Sequence, residues 1–235
     1  MRRALVSACA AITLAISGSA QQYGLRTYSV EHGLPSSAVF AMAEDADGYL
    51  WIGTAQGAAR TNGLRFEHIG RKQGLPHDAV TALAADDSGS VWLGFANGAV
   101  ARGVDGRITV MHAGPSATVK AIAVRGDEVW CATSGQGILR LHPGGEERHG
   151  RNHGLRSEQV NALCVDQHER LIAGTDSGLF LLSEARWQAV AVGGLPHLRV
   201  QALHGDAQGL LVGTANGFAE LDASLAPPAR PRKPA

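Results

Sequence analysis

The sequence predicts an all-β fold, a β-propeller of about five four-stranded antiparallel blades, on three observations. A pattern recurs about every 40 residues, its innermost strand is apolar on both faces, and the two ends of the chain complement each other. Val39, Val80, Val119, Val160 and Val200 stand 41, 39, 41 and 40 residues apart. A glycine turn precedes each, giving repeats that start near 33, 74, 114, 154 and 194. Six residues past each valine come Asp45, Asp86, Arg125, Asp166 and Asp206.

Residues 1–20 read as a secretory signal peptide. Arg2 and Arg3 form its positive end, Ala4 to Ser17 its apolar stretch, and Gly18-Ser19-Ala20 its cleavage site. The apolar stretch is too short to span a bilayer, and no later run reaches the roughly 18 residues a span requires. The expected location is periplasmic or secreted. Without the leader, 19 basic residues face 21 acidic ones, a net charge of −2. That balance offers no electrostatic footprint for nucleic acid or an anionic membrane. Cys131 and Cys164 read as small buried thiols, no spacing resembles a metal site, and no cofactor is expected.

Residues 21–225 form the propeller. Within the first repeat, Val39–Glu44 is the innermost strand, closed by the turn Asp45-Ala46-Asp47-Gly48. Tyr49–Thr54 and Ala58–Thr61 follow, and Leu64–Ile69 is the outermost strand. Two and three residues past each valine sit a small and a large apolar residue, such as Ala82 and Leu83. Adjacent strand positions face opposite ways, so stacked blades set a large face against a small one. Trp51, Trp92 and Trp130 share one register and belong to the blade core, whereas Trp187 lies on an outer strand. The fifth repeat has no outermost strand. Residues 25–30, which match 64–69, supply one without a blade and are expected to close the ring. Residues 226–235, rich in Pro and Arg/Lys, read as a disordered tail.

Gly48-Tyr49-Leu50-Trp51-Ile52-Gly53-Thr54, set behind Gly33-Leu34-Pro35, Val39 and Asp45, closely resembles the two-component regulator propeller repeat. The resemblance covers residues 25 to about 222 and is weakest in the third repeat, where Arg125 replaces the aspartate. It implies a periplasmic sensor module in signal transduction that binds a glycan or small molecule, or docks a protein, without turnover. The output would lie on another chain, a membrane-bound histidine kinase or diguanylate cyclase.

Ligands of propellers bind where the loops between outer and inner strands meet the loops between second and third strands. Three before each valine stand Ser36, His77, Ser116, Ser157 and His197. Asp78 and Glu158 follow one step on, and Thr118, Gln159 and Arg199 one step before the valine. The turns between second and third strands carry Gln56, Asn97, Gln136, Ser177 and Asn216, whose amides suit sugar hydroxyls or the turns themselves. One position past the valines lie Phe40, Thr81, Lys120, Asn161 and Gln201. A lysine on an innermost strand is costly unless it reaches solvent or a partner, such as the carboxylate of a uronic acid. The expected ligand-binding set is His77, Asp78, Lys120, Glu158, His197, Arg199, Gln56, Asn97, Gln136 and Asn216, with no catalytic residue. An alternative is a propeller hydrolase or lyase acting on polysaccharide, with Asp78 and Glu158 as its carboxylate pair.

Overall fold

The computed structural model describes residues 25–104, 106–114 and 117–226; the proposed leader, Ser116 and nearly all of the proposed tail lie outside them. Blade one comprises β1 (Val39–Glu44), β2 (Leu50–Thr54), β3 (Gly57–Thr61) and β4 (Phe66–Ile69), and blade two β5 (Val80–Ala85), β6 (Val91–Phe95), β7 (Val100–Val104) and β8 (Arg107–His112). Blade three comprises β9 (Val119–Arg125), β10 (Glu128–Thr133), β11 (Ile138–His142) and β12 (Gly145–His149). Blade four holds β13 (Val160–Val165), β14 (Leu171–Thr175), β15 (Gly178–Ser183) and β16 (Arg186–Ala189), and blade five β17 (Val200–Asp206), β18 (Gly209–Thr214) and β19 (Gly217–Leu221). Each blade is an antiparallel sheet in sequence order, so the all-β propeller expected from the repeat is the fold observed.

The core lies between blades. Trp51 and Ile69 of blade one pack with Val80, Leu93 and Phe95 of blade two. Trp130 and Ile138 of blade three pack with Val160, Phe180 and Trp187 of blade four. Trp187 is 3% exposed, more buried than its outer-strand position implied, because its ring meets Trp130 edge-on at 6.1 Å. Burying such an aromatic contributes roughly 2–3 kcal/mol relative to exposure.

The repeated aspartate is a turn device. In blade one, Asp45 Oδ1 accepts the amides of Asp47 and Tyr49, and its Oδ2 accepts the Trp51 indole N–H at 2.8 Å. Asp86 repeats this with Ser88, Ser90 and Trp92. One carboxylate thus satisfies a turn and an otherwise buried indole donor. In blade three Glu128 takes over, accepting from Trp130 at 3.1 Å and pairing with Arg125 and Arg140. Glu128 thus compensates for the aspartate that Arg125 replaces.

One expectation is corrected. Residues 25–29 form no strand, and the fifth blade has three strands among the described residues. The segment nonetheless holds the place relative to blade one that β4 holds relative to blade two. Tyr28 meets Phe66 edge-on at 5.3 Å, and the chain turns through Val30–His32 into Gly33 as it turns through Arg71–Gln73 into Gly74. The physical reason is at the seam. Inner strands pack in the sequence β1–β5–β9–β13–β17, and no comparable contact joins β17 back to β1; among the described residues β19 pairs with β18 alone.

Candidate functional site

The residue after each core valine sits in a β-bulge. In blade four Val160 pairs with Thr175 and Ala162 with Gly174, leaving Asn161 without an opposite residue; Thr81, Lys120 and Gln201 are bulged in the same way. A bulge re-aims its side chain, and here it does so at the mouth of the blade arrangement. Thr81 Oγ donates to the Val119 carbonyl of the next blade at 2.7 Å, and Asn161 Nδ2 to that of Val200 at 2.9 Å. The bulged position therefore both links blades and lines the mouth.

In blades three to five these side chains enclose a cavity of about 370 Å³ lined by Lys120, Gln159, Asn161, Asp176, Arg199 and Gln201. Asp176 Oδ1 accepts from Asn161 at 2.9 Å and lies 3.4 Å from Arg199 Nε. Gln159 Nε2 donates to Asn161 Oδ1 at 3.4 Å. Lys120 is exposed, with no ion pair to a described residue. The cavity thus carries two cations, one carboxylate shared with Arg199, and three amides. Such a surface can hold an anionic group and exchange several hydrogen bonds with hydroxyls.

Of the residues expected from sequence, only Lys120 and Arg199 line this cavity. His77 and His197 are turn caps, their Nδ1 atoms accepting the amides two residues on, as the hydroxyls of Ser36 and Ser157 do. Asp78 is held by Arg71 at 2.7 Å, which keeps its carboxyl below the usual aspartate value, and its carbonyl accepts the Gly57 amide of blade one. The Glu158 carbonyl accepts Gly135 and Gly137 in the same manner. Asp78 and Glu158 stand in the loops before the innermost strands of blades two and four, which are not neighbours in the blade order. Asn97 Oδ1 accepts the Ala99 amide in its own turn, Gln56 and Asn216 are exposed on theirs, and Gln136 borders a separate cavity with Glu158.

Asp176 was missed. Its equivalents are Ala55, Ala96, Ser134 and Ala215, so its charge at that position was a readable signal. Also missed was Glu147, His149 and His153, whose metal-ligating atoms lie within 4.8 Å of one another, away from this cavity.

Fold and cavity together define a β-propeller with a charged, amide-rich mouth. Residues 33–56, within the first repeat, match the family profile described as "Two component regulator propeller". A search of curated proteins finds no match. Among solved structures, the chain is similar to the extracellular domain of a protein described as a hybrid two component system from B. thetaiotaomicron. The identity is 20% and the TM-score 0.73, over 84% of this chain and 30% of that one. A domain of a one component system from the same organism matches at 19% and 0.64, over 77% and 27%. Virginiamycin B lyase from Staphylococcus aureus matches at 16% and 0.69, over 82% and 69%. The chain therefore spans less than a third of the two sensor domains' lengths. These likenesses show the fold.

Proposed function

We propose that the chain is an extracytoplasmic sensor propeller that binds an acidic oligosaccharide or a small anionic molecule at the mouth of blades three to five. The observation that carries this reading is the cavity itself, where Lys120, without a counter-ion among the described residues, shares the lining with Arg199, Asn161 and Asp176. The family of the repeat and the names of the similar extracellular domains support a role in signalling. No helix among the described residues is long and apolar enough to cross a membrane. On this reading the output partner is a membrane-bound histidine kinase or diguanylate cyclase.

A thermal-shift titration with neutral and uronic-acid oligosaccharides tests it. A ligand at 100 times its dissociation constant stabilises the native state by about 2.7 kcal/mol, which raises the melting temperature by several degrees. Acidic members should produce that rise, Lys120→Met should abolish most of it, and the glycan should be recovered uncleaved. No shift with any anionic member would remove the reading, and cleavage would replace it with an enzyme.

A further inference from the structure

His149 closes β12 and buries its ring between blades three and four, 5.0 Å from Trp130 in an edge-on arrangement. It is fully buried, and neither ring nitrogen has a hydrogen-bond partner. A buried imidazole with no aligned hydrogen bond, whose Nε2 faces the Glu147 carboxylate at 3.4 Å, is incompletely satisfied. Two ligating groups face it. Glu147 Oε2 lies 3.4 Å from His149 Nε2, outside hydrogen-bond alignment, and Glu147 Oε1 lies 3.4 Å from His153 Nε2. The His153 ring stacks on that of His149 at 4.4 Å.

We propose that Glu147, His149 and His153 form a binding site for a first-row divalent metal ion of the zinc class at the junction of blades three and four. Two imidazoles and a carboxylate are the ligand types such ions take. Bonds of about 2.0–2.1 Å at the tetrahedral angle place neighbouring ligand atoms roughly 3.4 Å apart; each imidazole Nε2 lies 3.4 Å from one oxygen of the Glu147 carboxylate, a different oxygen for each ring, and the three ligand groups lie within 4.8 Å of one another. Arg140 donates to Glu147 Oε2 at 3.2 Å and orients the carboxylate, the outer-shell support that metal ligands require. His153 also borders a cavity of about 420 Å³, which provides an approach from solvent and room for a water ligand.

Binding has a local consequence. His153 Nδ1 accepts the Gly150 amide at 3.4 Å, a longer cap than that of His32 (3.1 Å) or Gln73 (2.9 Å) in the equivalent turns. A metal on Nε2 moves the ring proton to Nδ1, so this cap is released on binding.

The full chain, without a polyhistidine tag and stripped with chelator, is titrated with Zn²⁺ by calorimetry and with Co²⁺ by visible absorption. One ion per chain is expected, with four-coordinate cobalt bands and a change in tryptophan fluorescence. The informative variant is His153→Gln. Glutamine already caps this turn in blade two, as Gln73, so the fold is kept while the imidazole is lost. Both it and Glu147→Gln should weaken binding at least about 100-fold, since outer-shell losses alone reach that size. His77→Gln, a turn cap remote from the cluster in sequence, should leave affinity unchanged. Absence of saturable binding in the parent chain, or unaltered binding in His153→Gln, overturns the site.

Discussion

The junctions between blades and the open seam are built from the same sequence pattern, yet they behave as two different surfaces. Val80, Val119, Val160 and Val200 are each 0% exposed, whereas Val39, which starts the first blade, is 42% exposed. The glycine of the second strand shows the same division. A Cβ on Gly53 would come within 2.9 Å of the Val80 carbonyl, one on Gly174 within 2.5 Å of Val200 Cγ1, and one on Gly94 would overlap Val119. On Gly213 it would meet only Ala202 of its own blade, at 3.3 Å or more. The repeat encodes half of a lock, and the lock exists only where another blade supplies the other half.

Substitutions at matched positions should break this comparison most strongly. Gly94→Val forces three carbons into space that Val119 fills and should cost about 3 kcal/mol. Gly213→Val should be neutral or slightly stabilising, because a strand gains from a β-branched residue that has room. Blade three tolerates Ala132 at this position, so a single Cβ is a milder probe. In the reverse direction, Val119→Ala should cost about 2 kcal/mol and Val39→Ala less than about 0.5. Urea midpoints measure all four. Equal costs at the junction and at the seam would mean that the first and fifth blades pack together in solution.

The aspartate turns offer a smaller, pH-dependent version of the same contrast. Burial works against the Asp86 charge, but hydrogen bonds from Ser88, Trp92 and Ser90 outweigh it and hold the carboxyl below the ordinary value of 3.8. A depressed folded value means the stabilisation is present above about pH 4 and lost as the pH falls through the folded value. Asp86→Asn turns an amide toward the Trp92 indole donor and should cost about 2 kcal/mol at pH 7, with the difference shrinking as the pH falls below 3.8 and Asp86 itself takes up a proton. In blade five Leu211 stands at the tryptophan position, and Asp206 Oδ1 accepts the amides of Gln208 and Gly209. Asparagine can make those two bonds, and no indole stands at the tryptophan position, so Asp206→Asn should cost less than Asp86→Asn at pH 7. A penalty at Asp86 that persists at pH 2 would assign its role to shape rather than charge.

What was legible in the sequence follows from the range over which each feature is decided. The valine spacing, the Asp45–Trp51 relation and the apolar inner strands are local or repeated, and they appear in the structure as expected. The closing strand was not legible, because pairing residues 25–30 with β19 depends on the accumulated angle of five blades, which no single repeat records. At the mouth, Lys120 and Arg199 were readable as charges at bulge-adjacent positions. His77 and His197 misled because an i to i+2 turn cap and a ligand-facing loop residue occupy the same place in a repeat. Glu147, His149 and His153 escaped notice because they straddle the corner from β12 into a 3₁₀ turn. Their convergence depends on how that corner folds inward against Trp130, which spacing alone does not express.

Cys131 and Cys164 sharpen the comparison without altering stability. Cys131 is fully buried at the junction of blades two and three, and burial pushes its thiol up to about 12; Cys164 is half-buried and packs at the junction of blades four and five. Both are free; Cys131 reaches a labelling reagent only when its junction opens, whereas the half-buried Cys164 needs a smaller local opening. Once open, each thiol returns to the ordinary range near 8.5, so relative labelling rates report the opening of the junctions rather than intrinsic reactivity. The blade two–three junction is braced on both sides by complete blades, whereas the blade four–five junction borders a three-stranded blade with an uncovered outer face. Native-state labelling followed by mass spectrometry should therefore modify Cys164 well before Cys131, with Val119→Ala accelerating Cys131 selectively. Labelling of both residues at one common rate, equal to that of global unfolding, would show that the blades open as a single unit and that the seam confers no local weakness.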